Sequence, residues 1–140
     1  MKLIVFRGKD NIGKTASIRH VFETLIDKGA EVKKYDAQGR WYDDFLAILE
    51  YHGKKILICS LGDLIGAVRN GRELAIENDA DILIVAWTNR LENRYDFTEE
   101  FPSDKYEITI IEQDKLVPVN FELRNQFNNF SNKFIEDYLG

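Results

Sequence analysis

The apolar run Leu3-Ile4-Val5-Phe6 leads through Arg7 into Gly8-Lys9-Asp10-Asn11-Ile12-Gly13-Lys14-Thr15-Ala16, which opens an amphipathic stretch. No other feature of the chain constrains its fold as strongly. A strand leaving at Gly8 needs a turn that a Cβ would obstruct, and Gly13 lets the backbone come close to whatever the turn encloses. A helix starting near Lys14 completes a strand, loop and helix unit. Successive N–H groups of such a loop converge with the positive end of the helix dipole, and together they form a cradle for phosphate. The pattern G-x-x-x-x-G-K-[ST] is complete here. A chance match at its four fixed positions is expected in under about 1 % of chains of this length, so an incidental glycine turn is the weaker reading.

Gly8, Lys9, Asp10, Asn11, Ile12, Gly13, Lys14, Thr15 and Ala16 are therefore the expected phosphate-binding residues. Lys14 is expected to reach the β- and γ-phosphates, and the Thr15 hydroxyl to bind a Mg²⁺ ion bridging them. Through Gly8, Gly13, Lys14 and Thr15 the chain resembles the P-loop NTPase superfamily. That resemblance implies a three-layer α/β sandwich and binding of a nucleoside triphosphate. Lys9, directly after the first glycine, is similar to the deviant loops of partition-type ATPases, but those continue with two glycines where this chain has Asp10 and Asn11. Lys9 is read instead as a loop lysine that adds positive potential. The stretches from Lys54-Lys55-Ile56 to Gly62-Asp63 and Ala80-Asp81-Ile82-Leu83-Ile84 also resemble small uncharacterised bacterial P-loop ATP-binding proteins.

The 140 residues suit one nucleotide-binding domain spanning 1–140, with 44 % hydrophobic and 31 % charged residues. No apolar run is long enough to span a membrane, and the first strand is too short and its flanks too polar for a signal peptide. Cys59 is the single cysteine and lies inside Ile56-Leu57-Ile58-Cys59. It reads as a buried thiol in a reducing cytoplasm. His20 and His52 sit in separate segments without metal-ligand spacing. The net charge of −5 disfavours nonspecific nucleic-acid binding, although Arg7, Lys9 and Lys14 predict a local basic cleft. Nothing in the sequence specifies an oligomeric state.

Strand and helix signals alternate along the chain, which predicts a mainly parallel five-stranded sheet. The strands are Leu3 to Phe6, Glu31 to Tyr35, Lys55 to Cys59, Ile82 to Trp87 and, at an edge, Tyr106 to Ile111. The two continuously apolar runs read as central strands near the first. Ile18, Val21, Phe22 and Leu25 mark one helix, which stops at Gly29. Phe45, Ile48 and Leu49 predict a second over Trp41 to Tyr51. A third is expected after Asp63, with Asn70-Gly71 as an interruption. Leu123, Phe127, Phe130, Phe134 and Tyr138 fall at helical spacing and predict a last helix that covers a sheet face.

A nucleotide hydrolase or kinase normally carries an acid at the end of a neighbouring strand, where it helps to hold Mg²⁺. Ser60 stands at that place. Asp63, three residues on, and Asp36, at the mouth of the second strand, are the candidates for a metal or water-positioning carboxylate. In parallel sheets both would emerge at the ligand-binding edge, with Ser60 and Asn89. For Asp63 the competing reading is a helix N-cap. Arg90 and Arg94, four apart in the long connection from Thr88 to Lys105, would share a helix face and could reach a transferring phosphate as part of a lid. The competing reading is a solvated helix balanced by Glu92 and Glu99, while Arg69 and Arg72 are weaker candidates beside the Asp63 turn.

The leading functional expectation is Mg-dependent binding and hydrolysis of a nucleoside triphosphate, with ATP favoured because no guanine-reading Asn-Lys-x-Asp is present. Lys14, Asp63, Asp36, Arg90 and Arg94 would carry the chemistry, and Thr15 and Asp63 the metal. The alternatives are a kinase acting on a nucleotide or small-molecule acceptor, and a nucleotide-binding partner module that lacks turnover because Ser60 is not acidic.

Overall fold

The computed structural model describes residues 1–8, 14–37, 44–112 and 129–140, without the side chains of Lys14 and Thr15. A six-stranded mixed sheet forms in the order β2-β3-β4-β5-β1-β6. Its strands are β1 (Lys2–Gly8), β2 (Glu31–Ala37), β3 (Phe45–Tyr51), β4 (Lys54–Cys59), β5 (Ile82–Thr88) and β6 (Glu107–Glu112). The helices are α1 (Lys14–Asp27), α2 (Ile65–Glu77) and two single turns, α3 (Asn89–Glu92) and α4 (Phe97–Glu100). Helical residues 129–134 run into a π-helical turn, Ile135–Leu139.

The expected five-stranded sheet is thus corrected to six strands, of which β4, β5, β1 and β6 run parallel while β3 runs antiparallel to both of its neighbours. The source of the error is the segment predicted as a helix over Trp41 to Tyr51. Residues 41–43 lie outside the described residues, and from Phe45 to Tyr51 the segment is β3. Phe45, Ile48 and Leu49 do fit a helical period, but Leu46 and Ala47 between them are equally apolar. A strand covered on both faces buries all five. The deciding element is the turn that follows. His52 at φ 50° and Gly53 at φ 75° form a two-residue connection of the kind whose twist matches a hairpin, and Tyr51 pairs with Lys54 across it.

Side-chain alternation along the strands builds a core on each face of the sheet. Ile4, Phe6, Ile56, Ile58, Ile82 and Ile84 meet Ile18, Val21, Phe22 and Leu25 of α1 on one face. Phe134, Ile135 and Leu139 of the C-terminal helix join this core, and Phe134 lies 5.5 Å from Phe6, ring to ring. The predicted aromatic cover is therefore seen for Phe130, Phe134 and Tyr138, whereas Leu123 and Phe127 lie outside the described residues. The second core joins Leu3, Val5, Leu57, Cys59, Leu83, Val85 and Trp87 to α2, Leu91 and Phe101. Cys59 is fully buried there, and desolvation pushes its thiol up to about 11, as expected for an inert cysteine.

Asn70-Gly71 does not interrupt α2. A Cβ at position 71 would stand 3.1 Å from the Cβ of Cys59, so the glycine lets the helix pack closely on β4. The expected edge position of the last strand is borne out by β6. At the opposite edge β2 is exposed along its whole length, and Lys33 and Lys34 place charge where an unpaired strand would otherwise recruit another. No helix among the described residues is long and apolar enough to cross a membrane.

Candidate functional site at the carboxyl edge of the sheet

Gly8 ends β1 with φ 155°, a conformation open to glycine and rare for other residues. Lys14 is the first residue of α1, so a strand and a helix flank the middle of the stretch, Gly8 to Ala16, that the sequence marks as a phosphate loop. Lys9, Asp10, Asn11, Ile12 and Gly13 lie outside the described residues. The backbone of Lys14, Thr15 and Ala16 forms the first turn of α1.

Beside Gly8 in the sheet stands Thr88, its register partner at the end of β5. The residue is 4 % exposed, and its Oγ1 has no hydrogen-bond partner among the described residues. Leaving a buried hydroxyl unmet costs about 1–3 kcal/mol, so such a group calls for a reason.

The next contribution comes from the turn after β4. The Gly62 carbonyl accepts the Thr88 N–H at 3.2 Å, which draws the turn across the end of β5. Only glycine fits: a Cβ at position 62 would lie 2.6 Å from the backbone carbon and oxygen of Ala86. Asp63 follows directly and is thereby carried to the neighbourhood of Thr88. The N-cap of α2 is Leu64, with no side-chain cap bond, so Asp63 does not cap the helix. Asp63 is half-buried and has no hydrogen bond or ion pair among the described residues.

Ser60, which stands where nucleotide hydrolases and kinases normally carry an acid, is 1 % exposed and engaged in hydrogen bonds. Its Oγ accepts the Phe45 N–H at 2.9 Å and donates to Oδ1 of Asp44 at 3.1 Å. Asp44 therefore brings a carboxylate to the end of β4 from the neighbouring chain segment. Sequence reasoning missed it because reading Phe45 to Tyr51 as a helix hides the consequence of a hairpin: a strand antiparallel to β4 must begin where β4 ends. The His52-Gly53 turn signal was the available clue.

Asp36 is placed less favourably. It lies on exposed β2, 3.5 Å from Nζ of Lys34, and four strand spacings of about 4.8 Å put it about 19 Å across the sheet from β1. Arg90 lies in α3, which begins directly after Thr88, but α3 ends at Glu92, so Arg90 and Arg94 do not share a helix face as expected. Both are exposed, and neither forms an ion pair among the described residues. Glu92 does not balance them. It accepts from the Arg7 guanidinium at 3.0 Å and from Nε1 of Trp87 at 2.7 Å. Arg7, expected in the basic cleft, is engaged there and also lies 4.0 Å from Glu112. Arg69 and Arg72 both bind Glu100 instead of facing the Asp63 turn.

The segment carrying Arg90 and Arg94 is also pinned to the second core. Phe97 packs edge-on to Trp87 at 5.2 Å, and Phe101 packs on Phe97 and Tyr106. No family model, curated protein or solved structure matches the chain.

Proposed function

We propose that the chain binds a nucleoside triphosphate with Mg²⁺ in a P-loop site at the carboxyl edge of its sheet, and that it hydrolyses or transfers the terminal phosphate. The observation that carries this reading is the unpartnered Thr88 hydroxyl beside Gly8, at the mouth of the loop that the sequence marks for phosphate. A γ-phosphate oxygen is the kind of acceptor that hydroxyl lacks. The fit of a metal is supported by hard oxygen donors, the Thr15 hydroxyl from the sequence and the Asp63 carboxylate carried in by Gly62. Bound Mg²⁺ would neutralise phosphate charge. Lys14 would bind the β- and γ-phosphates, and the loop N–H groups would fix their orientation. Asp63 would hold the metal's shell in place, and Arg90, one residue into α3, could approach the transferred group. Helices on both faces of a sheet whose central strands are parallel agree with the three-layer arrangement of P-loop proteins.

Titration calorimetry with ATP and GTP, with and without Mg²⁺, tests the reading. Lys14→Ala is expected to weaken triphosphate binding by about 1.5–3 kcal/mol, the range of a charge-assisted contact. Unchanged affinity in a folded Lys14→Ala protein would remove the proposal. Phosphate release measured with and without nucleoside monophosphates then separates hydrolysis from transfer to an acceptor.

A further inference from the structure

Arg7 and Trp87 stand one residue before the last paired positions of two central strands. β1 and β5 run parallel with Arg7 beside Trp87 and Gly8 beside Thr88, after which their ladder ends. Strand ends are held by fewer backbone hydrogen bonds than strand middles and open first. The end of β1 is also a glycine at φ 155°, which adds freedom. Yet the site proposed above depends on where Gly8 and Thr88 stand relative to each other.

One carboxylate ties the two strands at this point. Oε1 of Glu92 accepts from Nη2 of Arg7 at 3.0 Å, and Oε2 accepts from Nε1 of Trp87 at 2.7 Å. Trp87 is fully buried in the second core, so its indole N–H must be met inside the fold, and Glu92 meets it. The side chain of Thr88, next along the strand, alternates to the other face of the sheet. The clamp therefore lies behind the site. Glu92 itself ends α3, the single turn that begins directly after Thr88 and buries Leu91. The chain thus leaves β5, makes one turn, and returns a carboxylate to the strand it left and to the strand beside it. Arg90 stands in a turn held at both ends. An ion pair whose two side chains are each more than a third exposed contributes little to stability, so what this one supplies is geometry.

We propose that Glu92 is a positioning residue of the site: by joining Arg7 to Trp87 it sets the spacing of Gly8 and Thr88 and the direction of α3, and so governs transfer of the terminal phosphate without touching it. The inference rests on the triphosphate reading. A displacement of about 1 Å in groups that align a transfer lowers its rate by on the order of 100-fold, whereas binding, shared among many contacts, changes less.

Arg7→Met removes the cross-strand arm and leaves the Trp87 bond. Glu92→Gln does the same, because its amide oxygen can still accept from the indole. Hydrogen exchange in nucleotide-free protein gives the first readout: in both variants the Thr88 amide should exchange faster, on the order of 10-fold, with the middles of β1 and β5 unchanged. Turnover of ATP with Mg²⁺ gives the second. Both variants are expected to lose on the order of 10-fold in kcat with KM within about twofold, the double variant no more than either single one, and Arg7→Lys to recover most of the loss. Melting temperatures should stay near the parent's. Unchanged exchange at Thr88, or turnover that falls only in step with melting temperature, would overturn the role of Glu92 and leave the triphosphate reading intact. Tighter triphosphate binding by Glu92→Gln would also overturn it, because a freed Arg7 would then be acting on the ligand itself. A parent protein that neither binds nor turns over a triphosphate would overturn that reading and this inference with it.

Discussion

The carboxyl edge of the sheet and the corner where α2 meets α4 are both rich in charged and polar side chains, yet they treat them in opposite ways. At the corner, Glu100 accepts from Arg69 and Arg72 together, and Arg72 also donates to the Glu100 backbone carbonyl at 2.9 Å. Arg72 lies over the ring of Phe101 and Arg69 over Tyr95, so each guanidinium has its charge paired and its flat face covered. At the edge, Thr88 is buried without a partner and Asp63 has none among the described residues. Pairs of arginines look alike in a sequence. What distinguishes the two regions is whether the partners are already inside the fold: Arg69 and Arg72 hold α4 in place, whereas Thr88 and Asp63 find no partner among the described residues.

The largest expected effect comes from breaking the edge at its backbone. Gly62→Ala would drive a Cβ against the Ala86 main chain, which cannot rotate away as a side-chain end could. We expect a loss of about 1–3 kcal/mol in stability, measured by denaturant unfolding, together with weaker Mg-dependent nucleotide binding as Asp63 is displaced. Gly71→Ala, whose Cβ would meet Cys59 at 3.1 Å, should cost less and leave binding unchanged. Equal losses in both functions for the two variants would mean that Gly62 only fills space.

These two glycines also show why the fold was partly legible. The central strands β4 and β5, the edge strand β6 and the helix after Gly13 follow from local apolar patterning, and the structure has these strands and α1 where that patterning puts them. β3 was lost because five consecutive apolar residues carry no period, and only pairing across His52-Gly53 decides between helix and strand. The candidate site suffered in the same way. Thr15 and Lys14 are visible in one dimension, whereas Asp44 becomes a candidate only through an antiparallel register. Thr88 becomes one only when its burial and missing partner are known. Arg69 and Arg72 lose their appeal for the same kind of reason, since Glu100 lies 28 residues beyond Arg72.

A medium effect is expected at the corner, and it should depend on pH. The Arg69 hydrogen bond, with that of Arg72, holds the Glu100 carboxyl below its ordinary value of 4.5 despite opposing desolvation. A carboxyl whose folded-state value is depressed adds stability that is complete above the unfolded value and is lost as the pH falls through the folded one. The parent should therefore lose stability below about pH 4.5 more steeply than Glu100→Gln, and near neutral pH the variant should melt several degrees lower. Nucleotide affinity should not change at neutral pH. A variant with the parent's melting temperature and weakened nucleotide binding would reverse the contrast, making the arginine corner part of the site.

The smallest expected effect is the sharpest test of that contrast, because its sign is in question. Thr88→Val replaces an unpartnered buried hydroxyl by a methyl group of nearly the same volume. In nucleotide-free protein the substitution removes a desolvated polar atom and no hydrogen bond among the described residues, so stability should rise, by up to about 1 kcal/mol. With a triphosphate and Mg²⁺ bound, the same hydroxyl would meet a phosphate oxygen or its water. The variant should then bind the triphosphate less tightly, by a factor of about 2 to 10, the net worth of one hydrogen bond. Diphosphate affinity should be untouched, because the lost contact belongs to the terminal group. Unfolding curves with and without nucleotide measure both halves. If Thr88→Val destabilises the nucleotide-free protein, the hydroxyl is already satisfied within the fold, and the edge differs from the corner only in which residues fill it. If it stabilises the free protein and weakens only the triphosphate complex, a buried group left unmet by the chain has been matched to the ligand it was placed to meet.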